Sequence, residues 1–200
     1  MVSAPETSLL SPGGITLVRH GLPALSRDVK LSAAEYRDFW AKYEIGGLIP
    51  GQVPPEDLPP LAARAKSLFA STRRRSIESM ELVAPGRSFE REPLLVEAPL
   101  PPPAWPGFIK FNQRTWGFIS RFLWWFLDHC PAELENRAQA EARAAKVADR
   151  LTAAAAEGEV MVVAHGFFNA VIGRELKKRG WRRTTAMRML HWNSRRYERG

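Results

Sequence analysis

The chain has 200 residues, 45 % of them hydrophobic and 25 % charged, with a single cysteine, Cys130. That length and balance suit one globular domain, and one cysteine excludes both an intramolecular disulfide and a Cys-rich metal cluster. The formal net charge of +8 favours anionic partners (phosphorylated substrates, nucleic acid or an acidic membrane surface) without choosing among them.

Residues 1–14 lack a basic start followed by an apolar run, so they read as a loose arm and not as a signal peptide. Residues 15–20, ITLVRH, read as a short buried strand. Residues 31–43 read as a helix with Ser32 as N-cap. The Pro- and Gly-rich residues 46–60 form a loop. A short helix over 61–66 leads into a strand, SLFAS, at 67–71, and a second helix follows over 72–83. PLLVE, residues 93–97, reads as a third strand, followed by the proline-rich stretch APLPPPAWP.

Residues 111–127 read as a helix crowded with aromatics, and residues 133–156 as a long alanine-rich amphipathic one. EVMVVAH, residues 159–165, is the most hydrophobic strand. A helix over 167–178 closes at Gly180, and residues 184–197 alternate like a last, edge strand. Apolar strands alternating with helices predict a three-layer α/β/α sandwich, doubly wound around a mostly parallel sheet, with a helical insert over about residues 98–131. No stretch reaches the ~18 apolar residues of a spanning helix. A cytoplasmic location is expected, with one domain over 1–200.

In such sheets ligands sit at the carboxyl ends of the strands. ITLV ends in Arg19-His20-Gly21, and VMVVA ends in His165-Gly166. SLFA ends in Ser71, ahead of Arg73, Arg74 and Arg75, and PLLV ends in Glu97. Two histidines, several arginines and one carboxylate can thus converge on one sheet edge. Each glycine would let backbone approach a ligand closely. Taken singly, each histidine also fits a hydrogen-bonded core residue, and each arginine a solvated helix charge.

LVRHG, a strand-Ser-x-x-x-Arg element and a late VVAHG together resemble the histidine phosphatase (phosphoglycerate mutase-like) superfamily. The resemblance spans residues 15 to about 193. It implies that His20 takes up the phosphoryl group, that Arg19 and Arg75 bind phosphate oxygens, and that His165 contacts the phosphoryl group in the transition state. Arg73 and Arg74 are alternatives to Arg75. Glu97 falls where many members carry the proton donor, with Glu90 and Glu92 as rivals, and Ser79 falls where Thr is frequent. The resemblance implies no metal and no organic cofactor.

Departures from the family pattern are plain. Pro23 replaces a frequent Thr or Glu, Ser26 stands near the position of a phosphate-contacting Asn, and Phe167 and Phe168 follow Gly166. EAPLPPPAW replaces the tryptophan-containing stretch of the mutases, which argues against a mutase. The expected function is hydrolysis of a small phosphomonoester; the alternative is a phosphate-ligand binder that has lost turnover.

Metal binding is not expected: His129 and His191 lie far from the other histidines, and no HxH or HExxH spacing occurs. The basic C-terminal third carries no recognised nucleic-acid fold, so it reads as a solvated face that attracts phosphorylated substrates. The aromatic helix, residues 116–127, has three readings. It is a lid over the site, a membrane-surface contact, or a core or homodimer contact.

Overall fold

The computed structural model describes residues 13–25, 29–186 and 190–199. Three buried strands make its centre: β1 (Ile15–Arg19), β3 (Ser67–Ser71) and β6 (Val160–Ala164). β6 lies between the other two, parallel to both. Outside them, β4 (Glu90–Glu92) runs parallel to β3, while β8 (Ser194–Arg199) is antiparallel to β1 and β7 (Trp181–Arg183) antiparallel to β8. The order is β4-β3-β6-β1-β8-β7.

Side chains along a strand alternate between faces. Val160, Val162 and Ala164 therefore join one core, and Met161 and Val163 the other. The first core lies under α5 (Arg137–Ala156) and α6 (Gly166–Lys178). The second lies under α2 (Leu58–Arg64) and α3 (Arg74–Val83). This is the expected three-layer sandwich, and burial on both faces explains why its strands read as unbroken apolar runs.

A third, small cluster positions the remaining helices. The ribbon of β2 (Lys30–Leu31) and β5 (Phe111–Asn112) ties α1 (Ala33–Ile45) to α4 (Gln113–Phe126). Tyr36 stacks on Trp116 with ring centroids 5.9 Å apart, and Trp116 Nε1 donates to Leu31 O at 2.7 Å. Ser32 caps α1 as expected, accepting from Glu35 N at 3.3 Å in a reciprocal capping box. The insert thereby places α4 beside the carboxyl ends of β1 and β6.

Several elements depart from expectation. Residues 93–95 of PLLVE form a 3-10 turn, not a strand. Pro93 offers no amide to a ladder, so the strand ends before it, at Glu92, whose side chain caps the turn by accepting from Leu94 N at 2.9 Å. The edge strand expected over 184–197 forms only over Ser194–Arg199 as β8, and a separate short strand, β7, precedes that span at Trp181–Arg183. β8 is internal and β7 takes the edge, because the chain turns at Gly180 (φ 84°) and enters β7 directly from α6. The aromatic helix starts two residues late, because Asn112 caps it by accepting from Thr115 N at 2.9 Å. The long helix starts at Arg137, behind an Asn136 capping box. Of the expected loose arm, residues 1–12 lie outside the described residues, while Gly13 N donates to Ala155 O at 2.8 Å. Among the described residues no helix is long and apolar enough to cross a membrane.

α6 crosses β8 so closely that a Cβ at Gly173 would collide with the hydroxyl of buried Tyr197. The Gly173→Ala variant is expected to lose about 1–3 kcal/mol of stability through overpacking, read as a lower urea midpoint with unchanged slope. A midpoint within error of the wild type would refute this close contact.

Candidate active site

Strand register brings the two histidines together. Arg19 lies opposite Ala164, so the next residues, His20 and His165, leave adjacent parallel strands side by side. His20 N donates to Ala164 O at 2.9 Å and fixes that junction. The imidazoles meet edge to face, with centroids 5.2 Å apart, and both are buried.

Their partners define the tautomers. His20 Nδ1 donates to Gly21 O at 2.7 Å, which leaves Nε2 with its lone pair. His165 Nδ1 lies 3.4 Å from Arg75 Nη2, which can only donate, so Nδ1 accepts and Nε2 donates to Ser71 Oγ at 2.9 Å. Burial holds both histidines well below the usual imidazole value. Neighbouring charge pushes the same way: His165, Arg75 and Arg19 act on His20, and Arg75 and Arg73 on His165. Both rings are therefore neutral near pH 7.

Of the three consecutive arginines, only Arg75 is buried and reaches the histidines. Arg74 pairs with Glu78 at the surface, and Arg73 pairs with Glu44 at 2.6 Å. Arg75 is itself engaged. Its Nη1 donates to Tyr43 O at 2.8 Å and Glu44 O at 3.3 Å, and its Nη2 to Glu44 Oε1 at 3.0 Å. Nε is buried without a partner. The C-terminal turn of α1 thus takes up donors that the family resemblance assigns to phosphate. Ser79 supports the loop from behind, accepting from Gly21 N at 2.9 Å and donating to Arg75 O at 2.6 Å.

A cavity of about 320 Å³ opens at this point. Arg19, His20, Arg75, Glu97 and His165 all line it, and among the described residues Glu97 is its only carboxylate. Glu97 does not sit at a strand end as expected. It accepts from Phe168 N at 3.0 Å, Ala98 N at 3.1 Å and Phe167 N at 3.4 Å, so it caps the first turn of α6. The rivals Glu90 and Glu92 pair with Arg150 instead. Ser26 lies outside the described residues.

The glycines do not leave the room for ligand that the sequence suggested. A Cβ at Gly166 would meet Arg19 Cδ at 3.0 Å, and one at Gly21 the Trp192 ring at 2.5 Å. Their bareness admits protein side chains that shape the cavity.

Sequence reasoning missed several neighbours. Gln113, Arg114 and Arg121 of α4 line the cavity. Arg121 lies 3.8 Å from Glu97 Oε1 and stacks 3.7 Å above the Phe167 ring centre. Its signal was available: it is the only charge in the apolar run from Phe118 to Leu127. His191, far from His20 in sequence, has its ring 5.7 Å from that of His20, because the turn before β8 hangs on β1 through Trp192 N and Arg19 O at 3.1 Å. Among the described residues no three His, Cys, Asp or Glu side chains group as metal ligands. The aromatic helix divides between its readings: Trp116, Trp124 and Trp125 are buried, Phe118 and Arg121 border the cavity, and Phe122 and Phe126 face solvent.

Known proteins share this fold. Among solved structures, YhfR of Bacillus stearothermophilus is 19 % identical, with a TM-score of 0.56 over 83 % of this chain and 80 % of that one. A phosphoserine phosphatase of Entamoeba histolytica, solved with 3-phosphoglyceric acid, is 14 % identical, with a TM-score of 0.56 over 83 % and 80 %. Mycobacterial hydrolase 2 is 17 % identical, with a TM-score of 0.57 over 94 % and 82 %. At these identities the likeness is one of fold. No curated protein matches the chain. The family model for the histidine phosphatase superfamily (branch 1) matches residues 59–198, a span that holds Arg75, Glu97 and His165 and begins beyond Arg19 and His20. With well over half of its length matched, the chain belongs to the histidine phosphatase superfamily.

Proposed function

We propose that the chain is a phosphomonoesterase that works through a phosphohistidine on His20. The observation that carries this reading is the pair of neutral imidazoles, 5.2 Å apart, sharing one cavity with Arg19 and Arg75. A neutral imidazole with a free Nε2 lone pair is a competent phosphoryl acceptor. In the proposed first step Nε2 of His20 attacks phosphorus in line, the P–O ester bond breaks, and its electron pair leaves on the substrate oxygen. Glu97 protonates that oxygen. Water then attacks the phosphohistidine, returning His20 and releasing phosphate.

Arg19, Arg75 and His165 are assigned to the equatorial oxygens, where each good contact is worth about 3 kcal/mol in the transition state. Arg75 offers Nε directly and its Nη donors on displacing Glu44. No metal or organic cofactor is assigned. Hydrolysis is favoured over mutase transfer because EAPLPPPAW stands where the mutases carry their tryptophan-containing stretch.

A second reading, a binder without turnover, is favoured by one observation: Glu44 and the α1 carbonyls already occupy Arg75. Release of phosphate from p-nitrophenyl phosphate, measured with chelator present, separates the two. The enzyme reading expects turnover that His20→Asn lowers by about 10³-fold or more. No release at high protein concentration would establish the binder instead.

Glu97→Gln is expected to lower kcat on an alkyl phosphate by about 100-fold. p-Nitrophenyl phosphate, whose leaving group needs no proton, should lose far less. Equal losses on both substrates would remove Glu97 from the acid role.

Acid should destabilise the fold. The unfolded chain takes up protons on His20 and His165 near pH 6.5, while the folded protein resists them because burial lowers both. Stability therefore falls as pH drops below about 6.5, by up to about 2.7 kcal/mol per pH unit for two protons, until the lowered folded values are reached. The His20→Asn/His165→Asn variant should show a shallower fall in urea titrations between about pH 7 and 5. An unchanged slope would mean that these rings do not resist protonation.

A further inference from the structure

A second cavity, of about 400 Å³, lies on the other side of Arg121. It shares Phe118, Arg121 and Phe167 with the histidine cavity, so one layer of side chains separates the two. Its charge is one-sided. Arg121, Arg174, Lys177, Arg183 and Arg195 line it, and among the described residues no carboxylate does. Several neighbouring basic side chains are instead paired with carboxylates: Arg143 with Glu135, Arg150 with Glu90 and Glu92, Arg179 with Asp149 and Glu175, and Arg196 with Glu159 and Glu198. Arg174, Lys177 and Arg183 have no such carboxylate among the described residues. Arg195 is nearly fully buried, and its Nη2 donates to Gly166 O at 3.3 Å, at the start of α6.

The rest of the lining is mostly aromatic, with Ala170, Val171 and Gly173 between the rings. Trp125 and Phe167 meet edge to face at 5.3 Å, and Arg174 lies 4.8 Å over Trp125. Phe118, Phe122 and Phe126 form a ladder along α4 and are 72 %, 47 % and 67 % exposed. A second copy of the chain does not suit this surface, because two-fold pairing would set the cations of one copy against those of the other. Flat apolar rings bordered by cations, with no carboxylate on Arg174, Lys177 or Arg183 among the described residues, suit an apolar or aromatic body that carries negative charge.

We propose that this cavity binds a ring-bearing, anionic group, and that the group is the distal part of the phosphomonoester whose phosphoryl end enters the histidine cavity. The second half of this statement rests on the phosphatase reading above; the first does not. The substrate class is then a phosphate ester with an aromatic or bulky apolar body and a second anionic group. Arg121 touches both cavities, lying beside Glu97 and over Phe167, and so borders both ends of such a molecule.

The test has a binding arm and a kinetic arm. Naphthalene-1-sulfonate is titrated against the full chain, with tryptophan fluorescence reporting through Trp125. Saturable binding is expected, weakened at least tenfold in Arg174→Glu/Lys177→Glu. Absence of saturable binding, or equal binding by the variant, overturns the site. Vesicles of phosphatidylglycerol serve as a control for source: cosedimentation with them, without affinity for the soluble sulfonate, overturns the small-ligand reading in favour of a lipid surface.

In the kinetic arm, naphthyl phosphate carrying a ring sulfonate is compared with plain naphthyl phosphate. A kcat/KM at least tenfold higher for the sulfonated ester is expected, and it should vanish in the double variant while turnover of p-nitrophenyl phosphate stays unchanged. Sulfonate binding without that preference overturns the one-molecule assignment. If no ester is hydrolysed at all, the phosphatase reading fails and the one-molecule assignment with it, while the binding arm still decides whether the site exists.

Discussion

Everything at the candidate site depends on how β1 and β6 are aligned. Their parallel ladder pairs Ile15 with Val160 and ends with Arg19 beside Ala164. One residue of slip would turn the apolar side chains of a strand to the wrong face. It would also separate His20 from His165. The register is held by burial on both faces, since Leu17 and Val162 pack into one core and Val18 and Val163 into the other. The same apolar contacts that hold the sheet together therefore set the distance between two polar rings at its edge.

Around that junction the protein spends its polar groups on orientation. Ser71, Arg75 and the carbonyl of Gly21 are buried partners that define which nitrogen of each imidazole carries a proton, while Ser79 holds Gly21 N. A buried ring with a fixed tautomer is less free and less basic than one in water. Both consequences suit a group assigned to accept a phosphoryl group. The arginines follow the same logic with opposite sign: Arg75 tolerates full burial because Tyr43, Glu44 and His165 engage its Nη donors. On the proposed reading that engagement opposes anion binding and makes Glu44 a local competitor for phosphate.

α4 gives the site its individuality. Its buried tryptophans anchor the helix, with Trp116 bonded to Leu31 O and Trp124 Nε1 donating to Glu135 O at 3.0 Å. With that face held, the opposite face is free to carry Phe118, Arg121 and Phe122. Arg121 remains beside Glu97 because Phe167 offers it a ring to stack on. The two phenylalanines that depart from the family pattern thus have separate partners: Phe167 supports Arg121, and buried Phe168 lies under Arg143, 3.7 Å from ring centre to guanidinium carbon.

Local composition by itself determined the central strands, the caps at Ser32 and Gly180, and the chemistry at the strand ends. Buried strands carry continuous apolar runs, and a His-Gly at the end of such a run is visible without a partner strand. Order within the sheet was not legible, nor were the separate strands β7 and β8 at the C-terminal end, because pairing depends on which strand lies alongside. Glu97 could be picked out, but its place over the first turn of α6 could not, since residues 97 and 168 are brought together only by packing. The same holds for His191 near His20, for Glu44 on Arg75 and for the cluster of cations beyond Arg121. Each is a contact between segments far apart in the chain, and only the closed tertiary structure decides which charges end up facing one another.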